Sequence, residues 1–454
     1  MNIDAIMQRV KRIHMIGIGG SGMFPIVQLL HKAGYIISGS DNNEGSIIDA
    51  ERAMGLEVIM GQRAENITAD IELVVYSAAI SKANPELKAA LESGVPTVER
   101  SVLLGYVTRR YDDCICVAGT HGKTSTTAML TQILLEAGLD PSAVIGGKLP
   151  AIGGYGRSGD SQIMTCEACE YSNTFLELSP DVSVILNIDE DHLDYFKTMQ
   201  NLIASFTKFA AKTSKCIIIN GDDESSRLAV KGLSQRIVTF GFGEGNDYTA
   251  KNIQQHAPMH TSFELVRSGE LLCKLDLRVP GRHQIMNAIA ACAAAIEVGA
   301  DIDKLGEGLS HFGGAGRRFE WLGERNGVTY VDDYAHHPAE VAATLSTAVN
   351  MGYKSVWVVH QPFTYSRTFT LLNDFAKSLA IADHVVMSEI MGGREENTYN
   401  IYTKDLAAKI DGAVWFEGFD EIANYVTSNA KAGDLVITMG CGDVYKCAHK
   451  MLEG

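Results

Sequence analysis

An α/β protein of three domains is what this sequence predicts, and three observations carry the expectation. Two glycine-rich loops, Gly17-Ile18-Gly19-Gly20-Ser21-Gly22 and Gly119-Thr120-His121-Gly122, each follow an apolar run and lead into a segment with helical spacing of its apolar residues. Beyond Val328 apolar runs and helical segments alternate again. Finally, 454 residues with 46% hydrophobic and 21% charged side chains suit an ordinary globular chain of about three domains. The expected plan is a Rossmann-like domain over residues 1–107, a P-loop-type domain over 108–314 and a second Rossmann-like α/β domain over 315–454.

In the first of these, Arg12-Ile13-His14-Met15-Ile16 reads as a buried strand running into the glycine loop, with a helix from about Phe24 to Ala33. Gly17, Gly19 and Gly22 satisfy GxGxxG, with Gly20 and Ser21 inside the loop. A second strand ends at Asp41, about 20 residues on, where a ribose-binding carboxylate is expected. Such a loop recognises a diphosphate and a ribose, so a nicotinamide dinucleotide and a sugar nucleotide fit it equally. Ser77 and Ala78 follow the strand Leu73-Val74-Val75-Tyr76, at the sheet edge where ligands of open α/β sheets collect. Pro85 suits the first turn of the next helix.

The central domain opens with Ile115-Cys116-Val117, then Gly119-Thr120-His121-Gly122-Lys123-Thr124-Ser125, then a helix. In a P-loop-type ATPase the backbone N–H groups of such a loop cradle phosphates, Lys123 reaches the β- and γ-phosphates and the Thr124 hydroxyl holds Mg²⁺. The general pattern wants its first glycine six residues before the lysine, whereas Gly119 stands four before it. Two further strands end in ligand-capable side chains, Glu167 and His192, which a parallel sheet brings to the edge that carries the loop. Carboxylate and imidazole beside a triphosphate point to metal binding. Glycines between Gly146 and Gly159 read as a mobile surface loop, and residues from about Phe240 to Leu277 as short β-like runs. The helix across Arg282 to Ile296 places His283 and Asn287 on one face, four residues apart.

Gly313-Gly314-Ala315-Gly316-Arg317-Arg318 joins the second domain to the third, and an arginine on a flexible joint can reach nucleotide phosphates from a moving domain. The third domain's first strand is expected at Val328-Thr329-Tyr330-Val331, ending in Asp332-Asp333-Tyr334-Ala335-His336-His337.

Composition narrows the function classes. A net charge of −16 makes a nucleic-acid duplex an unsuitable partner, because phosphate-backbone binding needs a dense basic face. No apolar run nears the roughly 18 residues that cross a bilayer, and the first ten residues lack the core of a secretion signal, so a cytoplasmic protein without a membrane partner is expected. Nine scattered cysteines read as buried small hydrophobes in a reducing compartment. Cys166 and Cys169 have CxxC spacing, with no second pair to complete a zinc site.

In order, the stretches GIGGSGM, GTHGKTSTTAML, CEACEYSNTFL, NIDEDHLDYF, GRHQIMN, GAGRRFEWLG, DDYAHHPAE and QPFTYSRT resemble the Mur ligases across essentially the whole chain, and their alanine-adding branch above the others. The resemblance implies an ATP-dependent amide-forming enzyme of peptidoglycan precursor synthesis. ATP phosphorylates the lactyl carboxylate of UDP-N-acetylmuramic acid, and the amine of L-alanine displaces phosphate. It implies that Gly17, Gly19, Gly20, Ser21, Gly22, Asp41, Ser77 and Ala78 serve the UDP sugar, and that Gly119 to Ser125 serve ATP. Lys123 binds the transferring phosphoryl group, Thr124 and Glu167 hold one Mg²⁺, and His192 holds a second. His283 lies near the phosphates and Asn287 faces the adenine; Arg317 or Arg318 contacts phosphate, and Asp332 or Asp333 the ribose. Tyr334, His336 and Arg367 lie near the amino acid.

Departures mark this chain. Many alanine-adding members read EADESD where Glu167-Ala168-Cys169-Glu170-Tyr171-Ser172 stands, which sets Glu170 behind Glu167 as a metal ligand, and Ala335 replaces the glycine before the paired histidines. Two other readings remain: a murein peptide ligase that attaches a recycled peptide to the same UDP sugar, and a nicotinamide-dependent dehydrogenase with an appended ATPase. Selectivity among alanine, glycine and serine, and oligomeric state, are not legible in the chain.

Overall fold

Twenty-one strands in three sheets organise the computed structural model, which describes residues 2–393 and 395–453, without the side chains of Leu193 and Asp194. The first sheet comprises β1 (Arg12–Ile16), β2 (Ile36–Asp41), β3 (Glu57–Met60), β4 (Leu73–Tyr76) and β5 (Thr97–Glu99). Its order is β3-β2-β1-β4-β5 and every pairing is parallel. Chain direction across the sheet reverses at β1, which opens a crevice beyond the carboxyl ends of β1 and β4. Close packing beside that crevice depends on Gly39, where a Cβ would stand 2.6 Å from both Ile18 Cδ1 and the Met15 carbonyl oxygen. The helix Pro85–Ser93 begins as expected, with Asn84 Oδ1 accepting from the N–H groups of Glu86 and Leu87 at 3.0 and 3.1 Å.

The second sheet runs β6 (Asp113–Ala118), β7 (Ser142–Leu149), β8 (Gly154–Arg157), β9 (Ile163–Glu167), β10 (Val182–Ile185), β11 (Cys216–Asn220), β12 (Arg236–Phe240), β13 (Tyr248–Ala257), β14 (His260–Arg267) and β15 (Glu270–Leu277) in the chain. In space the order is β15-β14-β13-β12-β11-β10-β6-β9-β7-β8. β6 lies between β10 and β9, parallel to both, with Val117 opposite Glu167 and Ala118 opposite Ile185. That register brings the ends of three buried strands level with one another. The glycine-rich stretch expected as a mobile loop instead forms the antiparallel pair β7–β8, Ala143 opposite Arg157 and Val144 opposite Gly156. Glycine is used here for close approach: a Cβ on Gly156 would stand 2.5 Å from Pro25 Cβ, and one on Gly159 2.1 Å from the Asp140 carbonyl oxygen.

The third sheet holds β16 (Glu320–Arg325), β17 (Val328–Asp333), β18 (Val356–His360), β19 (His384–Ser388), β20 (Val414–Phe416) and β21 (Leu435–Met439), ordered β16-β17-β21-β18-β19-β20. All pairs are parallel except β16–β17. The sequence placed the first strand of this domain at Val328; β16 precedes it as a half-exposed edge strand, lacking the continuous apolar run that marks a buried parallel one.

Contacts divide the chain into two compact units. One runs through Asn252 and adds Phe263–Leu275 and Met286–Phe312; the other is Ile253–Ser262, Asp276–Ile285 and everything from Gly313 onward. In the first, one buried apolar cluster extends from Ile13 and Met15 to Phe206 and Phe209. In the second, the two faces of the third sheet carry separate clusters, around Val358 and Phe375 and around Trp357 and Val426. Among the described residues no helix is long and apolar enough to cross a membrane.

Candidate active site

At the end of β6 the chain turns through Gly119 and Gly122, whose φ values of +143° and +87° side chains rarely adopt. Gly122 caps the helix Lys123–Glu136, and a Cβ there would meet Asn287 Oδ1 at 2.6 Å. Asn187, just beyond β10, pins the loop. Its carbonyl accepts from the Thr120 N–H at 3.0 Å, its Oδ1 accepts from the His121 N–H at 2.8 Å, and its Nδ2 donates to the His121 carbonyl at 3.1 Å. Lys123 folds back over this turn, Nζ donating to the carbonyls of Gly119 at 2.6 Å and Thr120 at 3.1 Å. Ser125 is buried in the first helical turn.

The acids behind the loop are divided between its two functional side chains. Thr124 Oγ1 donates to Glu167 Oε1 at 3.0 Å, and Glu167 Oε2 accepts the Gly146 N–H at 2.7 Å. Lys123 Nζ lies 3.1 and 2.9 Å from the two oxygens of Glu170, which is 1% exposed. Burial opposes the lysine's charge, but Glu170, with Cys169 and Glu167 adding, more than offsets it and holds the ammonium above the usual lysine range. His192 sits at φ +55° with Nε2 3.9 Å from Glu170 Oε1 and 3.7 Å from Asp191 Oδ2. Glu170, set behind Glu167 by the sequence, is therefore the carboxylate that touches both Lys123 and His192. Its position three residues past the strand-end glutamate was the only signal. Cys166 is buried, Cys169 exposed, and both are free thiols. Among the described residues no group of three or more His, Cys, Asp or Glu stands in a metal-holding arrangement.

In the first sheet the glycine loop opens onto a cavity of about 630 Å³ lined by Gly17, Gly19, Gly20, Asp41 and Ser77. Asp41 holds the loop, Oδ2 accepting from the Gly19 N–H at 3.0 Å and Oδ1 from the N–H groups of Asn42 and Asn43 at 2.8 and 3.0 Å. Ser21, Gly22 and Ala78 are not among the lining residues. The Gly22 carbonyl instead accepts from Arg100 NH1 at 3.3 Å. Asn42, Gln62 and Asn84, which the sequence did not single out, line the cavity as a linked amide group, with Gln62 Oε1 accepting from Asn42 at 3.1 Å and from Asn84 at 2.8 Å. Glu51 is fully buried, and among the described residues neither of its carboxylate oxygens has a hydrogen-bond partner.

The second unit gathers its own polar group at the carboxyl ends of β17 and β21. Arg317, at φ +59°, donates from Nε to Asp332 Oδ2 at 2.8 Å and from NH2 to the Gly440 carbonyl at 2.6 Å, its guanidinium 5.0 Å from the Tyr334 ring and 4.8 Å from that of Tyr445. Arg318 also stands 5.0 Å from the Tyr334 ring. Thr438 donates to the other Asp332 oxygen at 2.6 Å. Burial pushes Asp333 up to about 6, against Arg318 and the N–H groups of Ala335 and Phe319. His336 Nδ1 lies 3.1 Å from the Tyr334 carbonyl and 3.4 Å from Glu340 Oε2. Arg367, in the helix Tyr365–Thr370, bears on Cys441, whose thiol burial raises to about 12 while the arginine lowers it. His283 is exposed in the first turn of the helix Arg282–Glu297, and Asn287 is buried one turn later.

A strand, a two-glycine loop and a lysine-bearing helix, with carboxylates at the neighbouring strand end, define a P-loop-type α/β protein, here joined to a dinucleotide-type crevice and a third, mostly parallel sheet. Comparison with known sequences gives the same three parts. Residues 12–112 match the Mur ligase family catalytic domain, 117–295 the Mur ligase middle domain and 317–442 the Mur ligase glutamate ligase domain. UDP-N-acetylmuramate–L-alanine ligase of Agathobacter rectalis is 45% identical over 447 residues, 97% of each chain. Its counterpart in Lachnospira eligens is 42% identical over 448 residues, 97% of this chain and 98% of that one. The chain belongs to the Mur ligase family. Among solved structures, UDP-N-acetylmuramate–alanine ligase of Thermotoga maritima superposes with a TM-score of 0.82 at 26% identity over 97% of this chain and 98% of that one. A murein peptide ligase of Psychrobacter arcticus shares the fold with a TM-score of 0.75 at 24% identity over 98% of each chain.

Proposed function

We propose that this protein joins L-alanine to the lactyl carboxylate of UDP-N-acetylmuramic acid, using ATP, in cytoplasmic synthesis of peptidoglycan precursors. Full-length relatives of that name at 42–45% identity support the substrates. The observation that carries the chemistry is the Lys123–Glu170 pair, 2.9 Å apart over a loop that turns through two glycines at positive φ. An ATP γ-phosphate arriving there competes with Glu170 for the ammonium, so the lysine gains an anionic partner without leaving its seat. Residues 1–107 would then take the UDP sugar, 108–314 ATP and 315–454 the amino acid.

In the reaction a lactyl carboxylate oxygen attacks the γ-phosphorus, ADP leaves, and the acyl phosphate formed is attacked at carbon by the alanine amine. Phosphate departs as the nitrogen loses its extra proton. Two anions must approach each other in the first step, and Lys123 offsets their repulsion. Thr124 with Glu167 would hold one Mg²⁺ and His192 a second; hard oxygen donors suit this ion, which takes one or two protein carboxylates and completes its shell with phosphates and water. When bound, it neutralises charge on the transferring phosphoryl group. His283 and Asn287 would face phosphate and adenine, and Arg317 or Arg318 the phosphates. Asp332 or Asp333 would take the ribose. Tyr334 and His336 would flank the amino acid while Arg367 pairs with its carboxylate.

Phosphate release across a matrix of UDP sugars and amino acids tests the reading. Release is expected only when ATP, UDP-N-acetylmuramic acid and alanine are all present. Release with a preformed tripeptide in place of alanine overturns it in favour of a murein peptide ligase.

A further inference from the structure

Two exposed tyrosines outside the roles assigned above stand beside His192. Tyr171 is 41% and Tyr195 42% exposed. The Tyr171 ring lies 4.8 Å from that of His192 and 6.3 Å from that of Tyr195, inclined at 55° and 52°. Through His192 and Glu170 the rings adjoin the Lys123 ammonium. Their backbone is held in an unusual state, since Ser172, Asn173, His192 and Lys197 have φ values of +54°, +61°, +55° and +69°. Non-glycine residues keep that conformation only where neighbours enforce it. Here Asn173 does so, Nδ2 donating to the Tyr195 hydroxyl at 3.0 Å and Oδ1 accepting from the Ser205 hydroxyl.

Fixed aromatic faces open to solvent beside a charged centre form a stacking surface for a ligand with an apolar face and an anionic end. The acid-bearing substrate has that chemistry, its hexosamine ring and lactyl methyl carrying C–H groups next to the carboxylate. We propose that Tyr171 and Tyr195 are an aromatic platform for this part of the substrate, and that the Tyr171 ring keeps water from the activated carboxyl group. The proposal rests on the ligase reading above. Without a shield, water adds to the acyl carbon and the bond from that carbon to the phosphate oxygen breaks. The free acid, inorganic phosphate and a proton result, so ATP is consumed with no amide formed.

The test measures ADP and amide formed by the full chain and by Tyr171→Ala, Tyr195→Ala and Tyr171→Phe, each first matched to the parent protein in thermal melting. Both alanine variants should raise KM for UDP-N-acetylmuramic acid about threefold to tenfold with KM for alanine unchanged. Tyr171→Ala should also form more than one ADP per amide, and Tyr171→Phe, which keeps the ring, should restore both readouts. An unchanged UDP-sugar KM with one ADP per amide in both alanine variants overturns the platform while leaving the ligase reading intact. Absence of amide from the parent protein overturns both.

Discussion

Lys123 shows how one residue can be charged, buried and still available: its ammonium is tethered to two loop carbonyls and one carboxylate, all of which a phosphate can displace or share. Lys123→Ala should lower alanine-dependent phosphate release on the order of 10²–10³-fold, while UDP-sugar affinity by titration calorimetry stays within about twofold because neither Lys123 nor its partners line the cavity beside β1. Equal loss of both contradicts separate sites. Glu51 makes a second prediction. Burial, with the Asp41 charge adding, pushes its pKa up to about 8, so the folded chain holds a proton that the unfolded chain releases at an ordinary glutamate pKa near 4.5. The folded state binds more protons between those values, so this carboxyl's contribution is fully present below about 4.5 and is lost as pH rises through about 8. Glu51→Gln removes that dependence, and its melting temperature relative to the parent should climb by about 2–4 °C between mildly acidic and mildly alkaline buffer. A pH-independent difference would mean that Glu51 is ionised and paired.

Among the elements, β7 is placed by what it must not carry. A Cβ on Gly146 would stand 2.5 Å from Glu167 Oε2, the oxygen that now accepts the Gly146 N–H. Gly146→Ala should push the carboxylate off Thr124 and reduce turnover on the order of 10–100-fold, the usual effect of displacing a positioned group by about 1 Å. KM for the UDP sugar should not move, since β7 contributes nothing to the cavity beside β1. A turnover equal to that of the parent protein would show that Glu167 is not needed in its present position. The same strand explains why glycine content misled the reading of residues 146–159: composition cannot distinguish a glycine that loosens a loop from one that lets two backbones meet.

On the scale of the whole molecule, a chain of net charge −16 carries two glycine loops at the ends of strands in separate sheets, each proposed above to take one of the two nucleotides. Independent sites should stabilise additively. UDP-N-acetylmuramic acid and a non-hydrolysable ATP analogue, each at about a hundred times its Kd, should each contribute about 2.7 kcal/mol, and together raise the melting temperature by the sum of their separate shifts. A combined shift no larger than the greater single one would mean that both nucleotides compete for one site.

The sequence by itself determined the α/β class, the glycine loops before the helices Phe24–Lys32 and Lys123–Glu136, and the strand ends that carry Asp41, Glu167 and Asp332, because apolar period and turn chemistry are local properties. Only the tertiary structure decided that Glu170 pairs with Lys123, that Asn42, Gln62 and Asn84 form one cavity wall, that β16 edges the third sheet, and that Gly22 turns toward Arg100. Those contacts join residues far apart in the chain or depend on a side chain's direction. They are fixed by strand register and by how closely backbones approach, neither of which is written in the order of neighbouring residues.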